Sequence, residues 1–449
     1  MSPLVCMSRN IAYGFEGSTR HLRTVLLPNE LVLLILYFAL PKAKTVESLA
    51  LMQLHRLSLL GVCRQWRNCV VGTPAFWDAV YIPWPACSSV VHTWSQRSDL
   101  NALRIHIDFT RAHGADFRLC FRQLESMLHR CWLLSLTVDF ETSAGPLYSA
   151  FATSTFPLLK RLLLQAPTIS HSTNFITMTP FASVIQSMYL SSCPIQWNTS
   201  AVFVALTTLA ISNTTMSYAP ARNDFATLCK GAPALVRLSF VNVRCMNTGT
   251  NVGWFPYAKL VHLRHLRVSF LPGVDGNHMA LQLVCLDAPN LSTLYLDADP
   301  NHLHQMVVDR PRFLEHTKEL RLNLRSSQCH LNGFFDLLPA LIRLDILHRH
   351  TPIFKALAPH NGLPGLCPLL QTMSVDCGPD LAHHFLFRRL LGGIPLLRLY
   401  YKETDSGVWA AWINGQPAKL DKLTVENWNG YCDDAWSQRS MHIVENSTY

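Results

Sequence analysis

The chain has 449 residues, of which 49% are hydrophobic and 15% charged, and its formal net charge is +9. The longest apolar run, Leu31 to Leu40, is about half of the ~20 residues that a membrane-spanning helix needs, so we expect no membrane span. More than half of the net charge lies in residues 1–98, and no run exceeds two adjacent basic residues, which argues against a nucleic-acid partner.

The N-terminus and the cysteines bear on the cellular compartment. Residues 1–22 lack the apolar stretch of a signal peptide, and the sequence predicts a flexible tail there. The 14 cysteines lie scattered, and no two have Cys-x-x-Cys spacing. We therefore expect buried free thiols in an intracellular protein of the cytoplasm or nucleus. Histidine pairs such as His302 and His304 would need distant partners to hold a metal, and we expect neither metal nor cofactor.

The first predicted helix begins near residue 28. Pro28 and Glu30 favour a helix start, because the first turn has free backbone N–H groups and a positive dipole end. Apolar residues then recur at spacings of three and four, which places them on one helix face. These residues are Leu31, Leu34, Ile35 and Phe38.

A second amphipathic helix is predicted before residue 72. Its apolar face would comprise Leu59, Val62, Cys63, Trp66 and Val70. The sequence Gly72-Thr73-Pro74 would end this helix, and Phe76-Trp77 follows. Both helices carry more apolar surface than so short a segment can bury by itself, which indicates a docking site for the helices of a partner.

Beyond residue 98 the pattern Leu-x-x-Leu-x-Leu, or an apolar variant, recurs at intervals of 21 to 29 residues. In the copy that starts at Leu291, Leu294 and Leu296 would point to one face of a strand, and Thr293 and Tyr295 to the other. The middle apolar positions of the copies are Leu136, Leu162, Met188, Leu209, Leu238, Leu266, Leu294, Leu320, Leu344, Met373, Leu399 and Leu423.

This period is typical of a leucine-rich repeat solenoid, in which short parallel strands stack on the concave face. Prolines such as Pro157 and Pro233 stand before the strands, and 334–338 and 385–391 are candidate return helices. The consensus Asn or Cys three residues after the last apolar position is matched only at Cys193, so we expect irregular repeats. A non-solenoid α/β domain with chance Leu-x-x-Leu-x-Leu strings is the alternative.

Three strings near the N-terminus carry a family resemblance. LPNEL at 27–31, VCRQWR at 62–67 and TPAFW at 73–77 resemble an F-box, the three-helix motif that binds the Skp-type adaptor of SCF ubiquitin ligases. WSQRS at 94–98 and HRCWLLSL at 129–136 are similar to fungal F-box proteins with a divergent leucine-rich region. The stretch 41–55 is longer than the link between the first two helices in that family, which leaves the course of the second helix open.

The resemblance implies a substrate-recognition subunit of an SCF-type E3 ubiquitin ligase, not an enzyme itself. The F-box would bind the Skp-type adaptor, and through it a cullin, while the repeats hold a protein target. The implied domains are a tail (1–22), an F-box domain (23–80), a linker (81–98) and a leucine-rich repeat domain with a C-terminal cap (99–449). Matching positions give the adaptor-binding set Leu27, Pro28, Leu31, Ile35, Val62, Cys63, Trp66 and Trp77. Trp66 has an equal alternative role in packing within the three helices.

The target surface is placed on the outward face of the strands, where arginine and tyrosine are the residue types that dominate interfaces. The candidate target-binding residues are Tyr189, Arg237, Arg267, Tyr295, Arg321, Arg343 and Tyr400. Ordinary solvated side chains are the alternative. Four tryptophans near the C-terminus would cap the last repeat or form an aromatic ligand patch; they are Trp409, Trp412, Trp428 and Trp436.

Two other functions stay open at this point. The chain could be a leucine-rich repeat scaffold that works without the adaptor. It could also be an enzyme built on a repeat frame, although it contains no Gly-x-Ser-x-Gly, His-Glu-x-x-His, Gly-x-Gly-x-x-Gly or phosphate-loop string.

Overall fold

The computed structural model describes the central part of the chain, with gaps. Described are residues 27–40, 46–84, 88–110, 116–139, 147, 149, 154–166, 176–177, 184–193, 195–196, 203–213, 215–217, 230–246, 258–269, 286–298, 314–324, 334–346, 353–354, 357, 366–375, 379–391, 396–402 and 424–428. The predicted tail lies outside these residues, as does the tryptophan cap except for the backbone around Trp428.

The fold is mixed α/β, with helices concentrated at the N-terminal end. The helices are α1 Asn29–Ala39, α2 Val46–Leu59, α3 Arg64–Gly72, α4 Ser88–Arg97, α5 Asp116–Leu128 and α6 Pro379–Leu391. Short 3-10 helices cover Pro74–Trp77 and Phe335–Leu337. The predicted helix at 385–391 is thus part of α6, whereas 334–338 holds only a 3-10 turn. None of the helices in the described residues combines the length and apolarity of a membrane-spanning helix.

One parallel sheet of 14 strands dominates the described residues, and every strand pairs with the next in chain order. Its strands are β1 Ala79–Pro83, β2 Leu103–Phe109, β3 Cys131–Val138, β4 Arg161–Gln165, β6 Ser187–Ser191, β8 Thr208–Ser212, β10 Arg237–Val241, β13 His265–Ser269, β15 Thr293–Ala298, β16 Glu319–Leu324, β17 Arg343–Ile346, β18 Thr372–Val375, β19 Arg398–Lys402 and β20 Thr424–Trp428.

Three two-stranded parallel sheets accompany the large one. They pair β5 Ile176–Thr177 with β7 Ile195–Gln196, β9 Thr215–Ser217 with β11 Arg244–Met246, and β12 Ala258–Lys259 with β14 Leu286–Asp287. Short parallel strands that pair in chain order make the large sheet repeat-like. This confirms the predicted α/β class and the predicted stacking of short parallel strands.

The repeat markers predicted from the sequence form one cross-strand row. From Leu162 to Leu399, each marker pairs with the next in the strand register. The two outermost markers were wrong by two residues, because Leu162 pairs with Leu134 rather than Leu136, and Leu399 pairs with Val425 rather than Leu423. Burial of the row from β1 to β19 gives the sheet a continuous apolar interior.

A β-turn before the strands explains the recurrent prolines. Pro157 lies in the turn in which the Leu159 N–H donates to the Phe156 carbonyl at 3.2 Å. The first leucine of the repeat therefore closes the turn and is buried, while proline fixes the turn backbone. Equivalent bonds run from Leu235 to Ala232, Leu291 to Ala288, Leu341 to Leu338 and Leu370 to Cys367.

Polar residues lie one position before the consensus Asn or Cys position, which this chain fills with a consensus residue only at Cys193. Ser192, Asn213 and Asn242 have φ of 57°, 49° and 55°, a left-handed conformation that asparagine tolerates well. The Asn242 side-chain amide donates to Asn213 Oδ1 at 3.0 Å, and backbone N–H groups of the same three residues donate to the neighbouring repeat. The expected irregularity is therefore partly compensated by asparagines one residue earlier.

The helical segment and the sheet share one core. A single cluster of buried side chains runs from Val32 in α1 to Leu399 in β19. Residues 81–98, predicted as a linker, instead contribute most of β1 and all of α4, whose Trp94 is buried in that cluster. The linker prediction is corrected accordingly, because these residues pack as part of the fold.

Side chains of α2 fasten this helix to the start of the sheet. Arg56 is buried; its Nη1 donates to the Ala79 carbonyl at 2.7 Å, and its Nη2 lies 3.8 Å from Asp78 Oδ1. Gln53 Oε1 accepts from the Tyr81 N–H at 2.8 Å. Burial lowers the pKa of the Arg56 guanidinium to about 10, which Asp78 opposes. Asp78 also pairs with Arg104 of β2 at 2.9 Å.

Two adjacent leucines test which side chain of the turn before β4 is buried. Leu159 is fully buried, whereas Leu158 is 49% exposed in the same turn. We expect Leu159→Ala to lower the free energy of unfolding by about 2–5 kcal/mol through lost burial and a residual cavity. Leu158→Ala should change it by less than about 0.5 kcal/mol. Denaturant unfolding followed by circular dichroism measures both, and equal losses would refute the assignment.

The attachment of α2 to β1 gives a second prediction. Arg56→Ala removes a buried donor to Ala79 and one partner of Asp78, so we expect a loss of about 1–3 kcal/mol and faster amide exchange in α2 and β1. Arg118→Ala is the matched control, because Arg118 also donates a side-chain hydrogen bond, to the Ser149 hydroxyl, but is exposed and lies on α5. Faster exchange in the control alone would contradict the attachment.

Candidate functional site

Helix α1 presents opposite faces to the core and to the surface. Val32 and Leu36 are buried, and they hold the helix against the rest of the fold. The face predicted from the sequence is the other one, and all four of its residues are exposed: Leu31, Leu34, Ile35 and Phe38. These four residues share one helix face, as their spacing predicted, and this face points away from the core. The exposed face of α1 is therefore an apolar patch of the kind found at interaction surfaces.

Helix α2 and the turn after it also carry exposed apolar side chains. Met52 and Arg56 face inward, whereas Leu51, Leu54 and Leu57 are exposed at spacings of three. We name the combined set the apolar helical surface. It comprises Leu27, Leu31, Leu34, Ile35, Tyr37, Phe38, Leu51, Leu54, Leu57 and Val62, all of them exposed.

Hydrogen bonds to α3 fix the parts of this surface relative to one another. Gln65 Nε2 donates to the Leu27 carbonyl and, at 3.1 Å, to Asn29 Oδ1, which ties the start of α1 to α3. Arg67 Nε donates to the Leu60 carbonyl at 2.9 Å, which ties α3 to the end of α2. The apolar helical surface is thus supported by a defined three-helix frame.

The predicted extent of the second helix, with Leu59 to Val70 on one face, was wrong. Leu59 ends α2, whereas Val62 and Cys63 lie in the turn before α3. Gly61 disfavours helix continuation, and Cys63 adopts extended backbone as the N-cap residue of α3, where its sulfur accepts from the Trp66 N–H at 3.5 Å. The apolar residues at 59–70 therefore do not form one helix face.

Six of the eight predicted adaptor-binding residues are exposed: Leu27, Pro28, Leu31, Ile35, Val62 and Cys63. Trp66 packs against the core cluster but is only half-buried. This is compatible with either predicted role, packing within the three helices or binding the adaptor. The residues of the apolar helical surface that the predicted set left out are Leu34, Tyr37, Phe38, Leu51, Leu54 and Leu57. Their helical spacing was the available signal.

Trp77 is corrected from a docking residue to a core residue. It is fully buried, and its Nε1 donates to the Val70 carbonyl at 2.8 Å. Its ring packs edge-on against Trp94 with centroids 4.9 Å apart, and the Arg97 guanidinium lies 4.5 Å from the ring centroid. A partner could not reach Trp77 without disrupting the junction of α3 and α4.

The predicted target-binding residues fall in two register rows on the outer face of the sheet. Arg237 and Arg343 belong to the row that begins the strands. The central row, two residues further on, holds Tyr189, Arg267, Tyr295, Arg321 and Tyr400. The predicted alternation of inward and outward positions is therefore correct.

The middle of the central row is a stacked cluster rather than a set of solvated side chains. Tyr295 lies between two arginines, with guanidinium carbons 4.7 Å (Arg267) and 5.1 Å (Arg321) from its ring centroid. Tyr295 and Arg321 are only 7% and 8% exposed. Such cation–π contacts stabilise the packing of these neighbouring strands, and they leave little exposed surface on Tyr295 and Arg321 for a partner to contact.

Two buried aspartates extend this polar network. Asp345 accepts from the Ser374 hydroxyl at 2.7 Å and from Arg343 Nε at 3.1 Å. Asp297 accepts from the Ser269 hydroxyl at 2.7 Å. Because buried carboxylates need such donors, the outer face at β13 to β18 is organised by lateral hydrogen bonds.

The strand-starting row has a positive environment. Burial lowers the pKa of His265, and the charges of Arg237 and Arg264 act in the same direction. Burial raises the pKa of Tyr189, while Arg161 and Arg237 oppose that shift. His265 is therefore biased towards its neutral form, and Tyr189 keeps its phenolic proton.

Chemistry beyond protein binding finds little support in the described residues. They include no group of three or more His, Cys, Asp or Glu side chains placed to hold a metal ion. Burial raises the pKa of the Cys131 and Cys193 thiols, and that of Cys367 to about 12, so these three are poor nucleophiles.

No protein-family model matches the chain, and no curated protein matches it either.

Thiol alkylation tests the geometry of α3. Cys63 is exposed at the start of this helix and Cys69 is buried within it. We expect N-ethylmaleimide to modify Cys63 in the native protein at least about tenfold faster than Cys69, because access limits the buried thiol. Trypsin cleaves after Arg64 and Arg67, so peptide mass spectrometry resolves the two sites. Similar rates in the folded protein would contradict the placement of α3.

Proposed function

We propose that this chain is the substrate-recognition subunit of an SCF-type E3 ubiquitin ligase. In this proposal residues 23–80 act as an F-box that binds a Skp-type adaptor, and through it a cullin. The parallel sheet belongs to a leucine-rich repeat domain that holds a protein target. The chain itself catalyses no reaction, and a separate ubiquitin-conjugating enzyme performs the transfer.

The apolar helical surface is the observation that carries the proposal. A three-helix frame buries one face of α1 and leaves the opposite face apolar and exposed. The exposed residues of that face are Leu31, Leu34, Ile35 and Phe38. Fully burying one large aliphatic side chain is worth about 1.5–3 kcal/mol, so the partly exposed side chains of this surface leave part of that free energy unused. A partner that covers α1, α2 and the turn at Val62 would bury them. The F-box-like strings at 27–31 and 62–67 contribute Leu27, Leu31 and Val62 to this surface.

Binding to a purified Skp-type adaptor tests the proposal through two matched leucines. Leu34 on α1 is 52% exposed, and Leu119 on α5 is 51% exposed. We expect Leu34→Lys to weaken adaptor binding at least about tenfold, since truncated interface anchors typically cost ~2 kcal/mol or more. Leu119→Lys should leave the affinity unchanged. Calorimetric titration measures both, and circular dichroism verifies that both variants are folded.

Protection of Cys63 gives a second measurement in the same experiment. Because Cys63 is the residue after Val62 of the apolar helical surface, adaptor binding should slow its alkylation. If neither variant changes an affinity that is present, the adaptor binds elsewhere. If the wild-type chain binds no adaptor, the proposal fails and a scaffold independent of the adaptor becomes the better explanation.

A further inference from the structure

The N-terminal ends of the strands carry an uneven distribution of charge. Each strand from β4 to β19 in the large sheet is preceded by one residue that continues the backbone ladder; for example, the Arg264 N–H donates to the Val236 carbonyl at 2.9 Å. We name the lysines and arginines at this position and at the first strand position the basic edge. Its members are Lys160, Arg161, Arg237, Arg264, Lys318, Arg343 and Arg398.

Acidic residues are scarce along this edge. Among the same described positions, Glu319 supplies the single carboxylate, and it accepts a 3.5 Å hydrogen bond from the Thr293 hydroxyl. Lys160, Arg237, Arg264, Lys318 and Arg398 are exposed, whereas Arg161 and Arg343 are half-buried. Most of the edge is therefore accessible to a partner.

The other end of the strands carries no such positive charge between β4 and β16. The register row Gln165, Ser191, Ser212, Val241, Ser269, Asp297 and Asn323 contains no lysine or arginine, although Lys402 ends β19. From β4 to β16 the outer face is thus more positive at the N-terminal ends of the strands. An extended anionic ligand matches this face when it crosses the strands at their N-terminal ends, where its charges meet the guanidinium and ammonium groups.

We propose that the basic edge binds an acidic protein segment, rich in Asp or Glu, lying in extended conformation across the strands. From β10 to β19 the sheet takes six steps, about 29 Å at ~4.8 Å per step, which an extended peptide spans with about nine residues. Within this stretch Arg237 and Arg264 belong to neighbouring strands, Lys318 and Arg343 belong to another neighbouring pair that also carries Glu319, and Arg398 belongs to the last strand.

The lowered pKa of His265 agrees with this placement, because it reflects the neighbouring charges of Arg237 and Arg264 in addition to burial. The segment would be the target held by the repeats, so this inference rests on the proposed function for its biological meaning. Binding of the peptide itself does not depend on the adaptor, and the two can be measured separately.

Fluorescence anisotropy with the full-length chain tests the inference. The probe is a fluorescein-labelled nonapeptide of alternating Glu and Ser, with a Gln twin, a phosphoserine twin and a single-stranded DNA nonamer for comparison. The test variant combines Arg237→Gln with Arg264→Gln. The control combines Arg118→Gln with Arg122→Gln, which removes the same charge from exposed positions of α5.

We expect the Glu peptide to bind, the Gln twin to bind at least about tenfold more weakly, and salt to weaken binding of the Glu peptide. The edge variant should lose at least about tenfold in affinity while the control keeps it, because only the former loses charged donors at the edge. Equal losses in both variants would overturn the inference. So would equal binding of the Gln twin, or binding of the phosphoserine twin or the DNA more than tenfold tighter than the Glu peptide.

Adaptor capture by the same variants separates the two proposals. Retained adaptor binding with lost peptide binding supports both of them. Peptide binding by a chain that captures no adaptor would refute the ligase function and leave the basic edge standing as a peptide site. Unchanged peptide binding in the edge variant, with the adaptor captured normally, would refute the basic edge alone.

Discussion

Burial of one apolar side chain at the same depth of every strand is the constraint on which the structure depends. A shift of one residue in any strand would turn its buried side chains towards the outer face, so the row from Leu162 to Leu399 fixes the register of ten strands together. The turn closed by the first leucine of each repeat sets where the strand begins. Backbone hydrogen bonds between neighbours then follow from that alignment, and no single strand could bury its row alone.

The periodic parts of the fold were the predictable ones. Alternation at Leu294 and Leu296, and the position of Pro157 before a strand, depend only on local geometry, and the structure reproduces both. The first and last markers were misplaced because Leu134 and Leu136 are both apolar, as are Leu423 and Val425. A period of two cannot distinguish between such neighbours, and only pairing with the adjacent strand decides.

The candidate sites were less predictable, because they depend on which surface meets which neighbour. The spacing of Leu31 and Phe38 placed them on one face of α1, but it did not show which way that face points. Trp77 was misassigned because its indole N–H reaches a carbonyl in α3 and its ring meets Trp94, contacts made between elements that the sequence does not show to be adjacent. Tyr295 and Arg321 looked solvated for the same reason, since lateral stacking buries them.

The side chains that join α2 to β1 also act on the solubility of the protein. β1 is the end strand of the large sheet, and an open end exposes backbone groups to which another chain can add. Gln53 occupies the Tyr81 N–H and Arg56 occupies the Ala79 carbonyl, both on the side of β1 that faces no strand. The helical segment thus blocks edge-to-edge association of the sheet. A fragment that starts after α2 would uncover this edge and be prone to aggregate, so the two regions are expected to require expression as one polypeptide.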